Sequence, residues 1–85
     1  MQTFEYVIKD SMGIHARPAG MLVKEAGKFS SSIAIANGEN SVNGKKLFAI
    51  MGLGIKQGDK ITVTVEGDDE ETAAAALELY YKENV

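Results

Sequence analysis

The order of secondary structure is decided around residues 13–19, which read Gly13-Ile14-His15-Ala16-Arg17-Pro18-Ala19. Upstream, Thr3 to Ile8 alternates apolar and polar residues, as is typical of a half-buried β-strand. Downstream, apolar residues recur every three or four positions as far as Phe29, which is the spacing of one helix face. Pro18 suits the first turn of that helix, because an amide hydrogen there has no helical acceptor. The segment therefore predicts a change from strand to amphipathic helix.

The middle of the chain reads as a hairpin and a further strand. Ile33 and Ile35 alternate with small or polar neighbours and lead into Asn37-Gly38. Both of those residues tolerate positive φ, so they predict a two-residue hairpin loop, with a short polar strand returning over Asn40–Asn43. Lys60–Glu66 has the clearest strand pattern, with its isoleucine and valines on one face and its threonines on the other.

Two more helices are expected. The first spans only one or two turns over Leu47–Met51, so some of its apolar side chains must be exposed, as in a docking patch. Asp68 to Glu71 opens the last helix, with Asp68 and Glu71 as a capping pair. The predicted inner face of that helix consists of Ala73, Ala76, Leu77 and Tyr80. The element order β-α-β-β-α-β-α implies one α+β domain over residues 1–85, with helices on one face of a sheet.

Composition excludes several classes of protein. The net charge of -3 argues against a dedicated nucleic-acid binder. One histidine and no cysteine exclude disulfides and thiolate metal sites and disfavour any other metal site. No apolar run reaches membrane-spanning length, and the start of the chain lacks a signal-peptide pattern. We therefore expect a cytoplasmic protein that does not insert into membranes.

The one histidine, His15, stands where a helix begins. The first amides of a helix have no intrahelical acceptors, and the helix dipole adds partial positive charge there. With Arg17 two residues away, the position suits an anion, and a nucleophilic nitrogen beside an anion site suits a phosphoryl group. A lone histidine before a helix is more often an exposed or capping residue with no chemistry, and composition alone favours that interpretation.

The run from Gly13 to Ala19 resembles the active-site signature of HPr, the histidine-containing phosphocarrier family of the bacterial phosphoenolpyruvate-dependent sugar phosphotransferase system. The resemblance covers essentially the whole chain. It also includes Lys28-Phe29, Asn37-Gly38, Val42-Asn43, the run from Met51 to Ile55, Gly58 and the run from Gly67 to Glu70. It implies an open-faced β-sandwich, in which a four-stranded antiparallel sheet carries three helices on one side.

The resemblance implies a carrier rather than an enzyme. His15 would accept a phosphoryl group on Nδ1 from phosphorylated Enzyme I and pass it to sugar-specific IIA components. Arg17 and the backbone amide of Ala16 would bind the phosphoryl oxygens. No cofactor is expected, and the likeness suggests a monomer. The residues that fall where the family docks its partners are Gly20, Lys24, Gly27, Lys46, Leu47, Phe48 and Met51; Phe48 or Met51 would otherwise belong to the core.

Two positions depart from the family pattern. Gram-positive members carry a regulatory serine where this chain has Lys46, and a lysine cannot form a phosphoryl ester. Serine phosphorylation would add about two negative charges to a docking surface, whereas Lys46 keeps that surface cationic. Met12 replaces a small polar residue that would bond near the histidine.

Two other functions are compatible with the sequence. A paralogous carrier of a nitrogen or dihydroxyacetone-kinase branch would keep His15 and Arg17 but change the partner-facing residues. A plain protein-interaction module would transfer no phosphate, although the presence of both residues speaks against it.

Overall fold

The computed structural model describes all 85 residues, from Met1 to Val85. Four strands form one antiparallel sheet: β1 (Gln2–Val7), β2 (Ser32–Asn37), β3 (Asn40–Asn43) and β4 (Lys60–Glu66). Their spatial order is β1-β4-β2-β3, and β4 pairs with β1 over residues 60–65 and with β2 over residues 61–66. The predicted four-stranded antiparallel sheet is confirmed, and the bounds of β3 and β4 agree with the sequence pattern.

Three helices complete the domain: α1 (Ala16–Ala26), α2 (Leu47–Gly52) and α3 (Glu70–Asn84). The predicted order β-α-β-β-α-β-α is confirmed. Helix α1 ends earlier than expected, because the amides of Lys28 and Phe29 bond to carbonyls three residues back and close a tight final turn. None of the three helices is long and apolar enough to cross a membrane.

The core lies between the helices and one face of the sheet. Ile61, Val63 and Val65 of β4 are fully buried, as the alternation predicts. Helix α1 contributes the predicted Ala19, Leu22 and Ala26, all buried. The core also contains buried side chains of β1, β2 and α3: Tyr6, Ile33, Ile35, Ala73, Leu77 and Tyr81. The opposite face of the sheet carries no helix, which gives the open-faced sandwich.

Tyr81 of α3 lies in the core, whereas the sequence pattern predicts Tyr80 on the inner face of this helix. Tyr81 is 2% exposed and packs edge-on against the rings of Phe4 and Tyr6, at centroid distances of 5.8 and 6.4 Å. Tyr80 is only partly buried. The buried residues of α3 are spaced by four, at Ala73, Leu77 and Tyr81, so its inner stripe follows the i, i+4 row.

The hairpin between β2 and β3 turns one residue later than predicted. Asn37 pairs with Asn40, so the loop residues are Gly38 and Glu39 rather than Asn37 and Gly38. Gly38 has φ 65°, and no residue other than glycine in the chain has positive φ. Glycine at the first loop position is the requirement of a type II′ turn, which leaves Asn37 free to continue the strand.

The start of α3 is joined to the start of β2 through Asp69. Its carboxylate accepts hydrogen bonds from the amides of Ser30 and Ser31, at 2.9 and 3.0 Å, and from the Ser31 hydroxyl. These bonds, that of the hydroxyl foremost, hold the pKa of Asp69 below its ordinary value of 3.8. Asp69 therefore bridges two elements that are distant in sequence.

The predicted capping pair of Asp68 and Glu71 is wrong. Asp69 is the N-cap residue, and its side chain makes no capping hydrogen bond because it is turned toward the serines. Glu70 accepts a hydrogen bond from the amide of Gly67 at 3.1 Å, three residues back, and so satisfies a backbone donor before the helix. The contact with the serines is long-range, and the spacing of acidic residues gives no signal of it.

We predict that Asp69→Asn destabilises the fold in a pH-dependent way. A carboxyl whose pKa is lowered by folding stabilises the native state above its unfolded pKa, and this contribution is lost as the pH falls through the folded pKa. The difference in unfolding free energy between wild type and variant should therefore be full at neutral pH and shrink below pH 3.8. Urea denaturation over a pH series measures it.

The Ser31→Ala background provides the control. Without the hydroxyl donor, Asp69→Asn should cost less than in the wild type, because the two residues share one interaction. A stability difference that stays constant with pH, or equal costs in both backgrounds, would contradict this account of the bridge.

Candidate functional site

The loop before α1 is held against another loop by a close backbone approach. Gly13 has φ 67°, and a Cβ there would lie 2.3 Å from the carbonyl oxygen of Ile55. The next amide, that of Ile14, donates to the same oxygen at 3.1 Å, and the Ile14 side chain is buried. Only glycine permits this close approach at position 13. The two contacts hold Gly13 and Ile14 in place and so fix the position of the next residue, His15.

His15 is the N-cap residue of α1. Its backbone is extended, with φ -103° and ψ -170°, and its carbonyl accepts the first helical hydrogen bond, from Ala19 at 2.9 Å. The imidazole makes no capping hydrogen bond and is half-buried at the surface. Its ring nitrogens are therefore not used by the fold.

Two free amides stand beside the ring. Ala16 and Arg17 are the first two residues of α1, and neither amide donates to any group of the chain. The third residue, Pro18, has no amide hydrogen. The positive end of an eleven-residue helix thus offers two N–H donors next to the imidazole. This arrangement can accept an anion attached to His15.

His15 and Arg17 line one recess of about 240 Å³. The other residues that line it are Asp10, Pro18, Met21 and Asn84. The Arg17 side chain is exposed and forms no ion pair, so its guanidinium is available to a ligand. The structure therefore brings together the histidine, arginine and Ala16 amide that the sequence singled out.

Asp10 and Asn84 are recess residues that sequence reasoning missed. The backbone amides of Lys9 and Asp10 both donate to the main-chain oxygen of Val85, at 2.8 and 3.0 Å. These bonds bring the last turn of α3 next to the loop that carries His15. No motif or spacing signals such a contact, because tertiary packing joins residues that are far apart in the sequence.

The expected partner-binding residues lie on α1 and α2 or cap these helices, and the two helices pack against each other. Phe48 is 82% exposed and Met51 37%, while Ile50 between them is fully buried. Phe48 is therefore not a core residue. Lys24, Gly27 and Lys46 are exposed, whereas Gly20 and Leu47 are half-buried. Met21, 39% exposed on α1, is an apolar side chain of this surface that the sequence did not single out.

The two lysines before α2 differ in their surroundings. Lys45 donates from its Nζ to the carbonyl of Phe29 at 2.7 Å, which ties α2 to the end of α1. Lys46 is the N-cap residue of α2, makes no capping hydrogen bond and forms no ion pair. Its ammonium is therefore a free positive charge at the surface.

A larger recess of about 530 Å³ lies elsewhere, on the uncovered face of the sheet around β2 and β3. Its lining is mostly serine and other polar residues, and it includes neither His15 nor Arg17. The histidine and the free cation therefore lie in the smaller of the two recesses.

Known proteins share both the sequence and the fold of this chain. A family model described as "PTS HPr component phosphorylation site" matches residues 2–83. The chain belongs to the HPr family. Phosphocarrier protein HPr of Lysinibacillus sphaericus is 44% identical over 77 residues, 91% of this chain and 88% of that one. The HPr of Mycoplasma genitalium is 43% identical over 86 residues, which cover 99% and 97% of the two chains. The chain is thus a phosphocarrier of the phosphotransferase system.

Solved HPr structures have the same fold. The crystal structure of HPr-C-His from Thermoanaerobacter tengcongensis superposes with a TM-score of 0.94 at 40% identity, covering 99% of this chain and 94% of that one. An HPr dimer from the same organism gives 0.75 at 41% identity, covering 100% and 99%. Since relatives include dimers, the monomer expected from the sequence stays a prediction.

Proposed function

We propose that His15 accepts a phosphoryl group from phosphorylated Enzyme I and passes it to sugar-specific IIA proteins. The observation that carries this proposal is the unbonded imidazole beside the free amides of Ala16 and Arg17 and the unpaired Arg17 guanidinium. Because the group enters from one protein and leaves to another, the chain acts as a co-substrate rather than an enzyme. Its proposed setting is the cytoplasm, where it would act as a monomer.

The transfer exchanges one P–N bond for another. The lone pair of His15 Nδ1 attacks the phosphorus, and the bond from phosphorus to the donor nitrogen breaks, returning its electron pair to the donor ring. His15 keeps its proton on Nε2, so no proton has to leave with the group. An imidazole bond to phosphorus breaks readily in the next step, whereas a serine ester would hold the group too firmly for a carrier.

The chain contributes positioning and electrostatic stabilisation. The transferred group carries its charge on three oxygens, which the amides of Ala16 and Arg17 and the guanidinium can bind. The helix dipole of α1 adds to this attraction. Most of the remaining catalysis comes from alignment of the two rings within the docked complex.

The proposed docking surface combines apolar and positive side chains. Phe48, Met51 and Met21 are exposed apolar residues near the packed helices α1 and α2, and Lys24 and Lys46 add positive charge. This composition fits a partner that presents an apolar pocket with an acidic rim.

We predict that His15→Ala abolishes phosphoryl transfer without unfolding the domain, because the side chain is only half-buried and makes no capping bond. Arg17→Ala should slow transfer roughly 100-fold, the usual effect of removing one group that binds developing charge. Each variant is incubated with Enzyme I and labelled phosphoenolpyruvate, and phosphorus NMR identifies the acid-labile product. Circular dichroism checks folding.

A labelled His15→Ala protein would refute the site. If wild-type protein takes no label from an Enzyme I that phosphorylates another HPr in the same tube, the proposed donor is wrong.

We also propose that the chain lacks the serine regulation of Gram-positive relatives. At the corresponding position Lys46 is an exposed, unpaired ammonium before α2. A permanent positive charge there favours binding of an acidic partner, whereas a phosphoserine would repel it.

We expect no labelling when the protein is incubated with the regulatory kinase and ATP, because Lys46 has no hydroxyl to phosphorylate. The matched control is Lys46→Ser, which restores the acceptor and should become labelled. Mass spectrometry locates any phosphate. Stoichiometric labelling of the wild type, on Ser41 or the serines at 30–32 for example, would disprove the absence of serine regulation.

A further inference from the structure

The recess around His15 contains a carboxylate that the proposed transfer does not use. Asp10 lines the recess together with His15 and Arg17. Its position is fixed by three hydrogen bonds: its amide donates to Val85 at 3.0 Å, its carbonyl accepts from Gly13 at 2.9 Å, and its Oδ1 accepts from the Met12 amide at 2.9 Å. The other carboxylate oxygen, Oδ2, has no partner in the chain.

The charges of the recess nearly cancel before any ligand arrives. Arg17 is its one cationic side chain and Asp10 its one carboxylate, and the two form no ion pair. A carboxylate would weaken a site whose only function is to bind a phosphoryl dianion, because the two negative charges repel each other. A carrier differs from a binding site, because its phosphorylated form must also release the group readily to the next protein.

We infer that the Asp10 carboxylate opposes the phosphoryl group on His15 and so raises the free energy of the phosphorylated state, which favours onward transfer. The inference rests on the proposed phosphorylation of His15. Asp10 makes no bond to the group; it acts through space, as a like charge held in place by the loop. Arg17 and the two amides attract the group, and Asp10 limits that attraction.

The test is Asp10→Asn, which removes the charge and keeps an oxygen for the Met12 amide. Phosphorylated Enzyme I is mixed with each carrier without phosphoenolpyruvate, and the phosphorylated fraction is measured at equilibrium by phosphorus NMR. The equilibrium constant for transfer onto the variant should rise roughly three- to tenfold, the range expected for one charge facing a dianion across a small wet recess. Transfer from the variant to a IIA protein should become less favourable by the same factor.

Asp68→Asn is the matched control, since it makes the same change of charge at the opposite end of α3. Fifteen helical residues separate Asp68 from the recess end of α3, which is about 22 Å and more than twice the Debye length in physiological salt. It should leave both equilibria unchanged. The effect of Asp10→Asn should also shrink as salt is added.

Asp10→Ala separates charge from loop structure. It removes both the charge and the Met12 bond, so it should shift the equilibria as Asp10→Asn does if charge is responsible. An unchanged or lowered constant in Asp10→Asn overturns the inference, as does a shift confined to Asp10→Ala. If the wild type is phosphorylated on His15, such a result refutes only the role of Asp10. If the wild type is not phosphorylated on His15, both the proposed function and this inference are wrong.

Discussion

The extended backbone of His15 at the start of α1 is the constraint on which the site depends. It ends the preceding loop and begins the helix, and so places a ring beside two amides that no other group uses. A helix that began one turn earlier would consume those amides in its own hydrogen bonds. The close approach of Gly13 to Ile55 prevents this shift, because it anchors the loop on the far side of His15. The backbone geometry at the start of α1 therefore determines where an anion can bind beside His15.

The site combines attraction and repulsion within a few residues. Arg17 and the free amides favour an anion, while Asp10 adds an opposing charge that the loop holds in place. A transferable group needs a bound state that is neither too stable nor too unstable relative to its donors and acceptors. On this view the negative charge of Asp10 limits how strongly the recess stabilises the phosphoryl group. In the proposed function, partner recognition belongs to a separate surface, formed by the exposed side chains of α1 and α2.

Much of this structure follows from local sequence. The alternation in Lys60–Glu66 predicts β4 because a strand buried on one face needs a period of two, and the short apolar run of α2 predicts the exposure of Phe48. The run from Gly13 to Ala19 predicts the helix start, and its resemblance to the HPr signature singles out His15 and Arg17. These features depend on residues that are adjacent in the chain.

The features that sequence did not predict depend on packing at a distance. Tyr81 rather than Tyr80 lies in the core, because the Phe4 and Tyr6 rings of β1 pack against the side of α3 that carries Tyr81. Asp69 faces β2 instead of capping its own helix, because Ser30 and Ser31 offer three donors. Asp10 and Asn84 meet at the recess only because the loop amides bind the main-chain oxygen of Val85. Neither the Asp69 contact nor the Asp10 contact leaves a periodic or motif-like trace in the sequence.

The most direct measurement of the central claim is the chemical shift of the Ala16 and Arg17 amide protons before and after phosphorylation. If these donors bind the phosphoryl oxygens, both protons should move strongly downfield in the phosphorylated protein, and amides at the far end of the domain, such as that of Asp68, should not move. Phosphorylated His15 with both amide signals unmoved would show that the helix start does not hold the group, and would contradict the account.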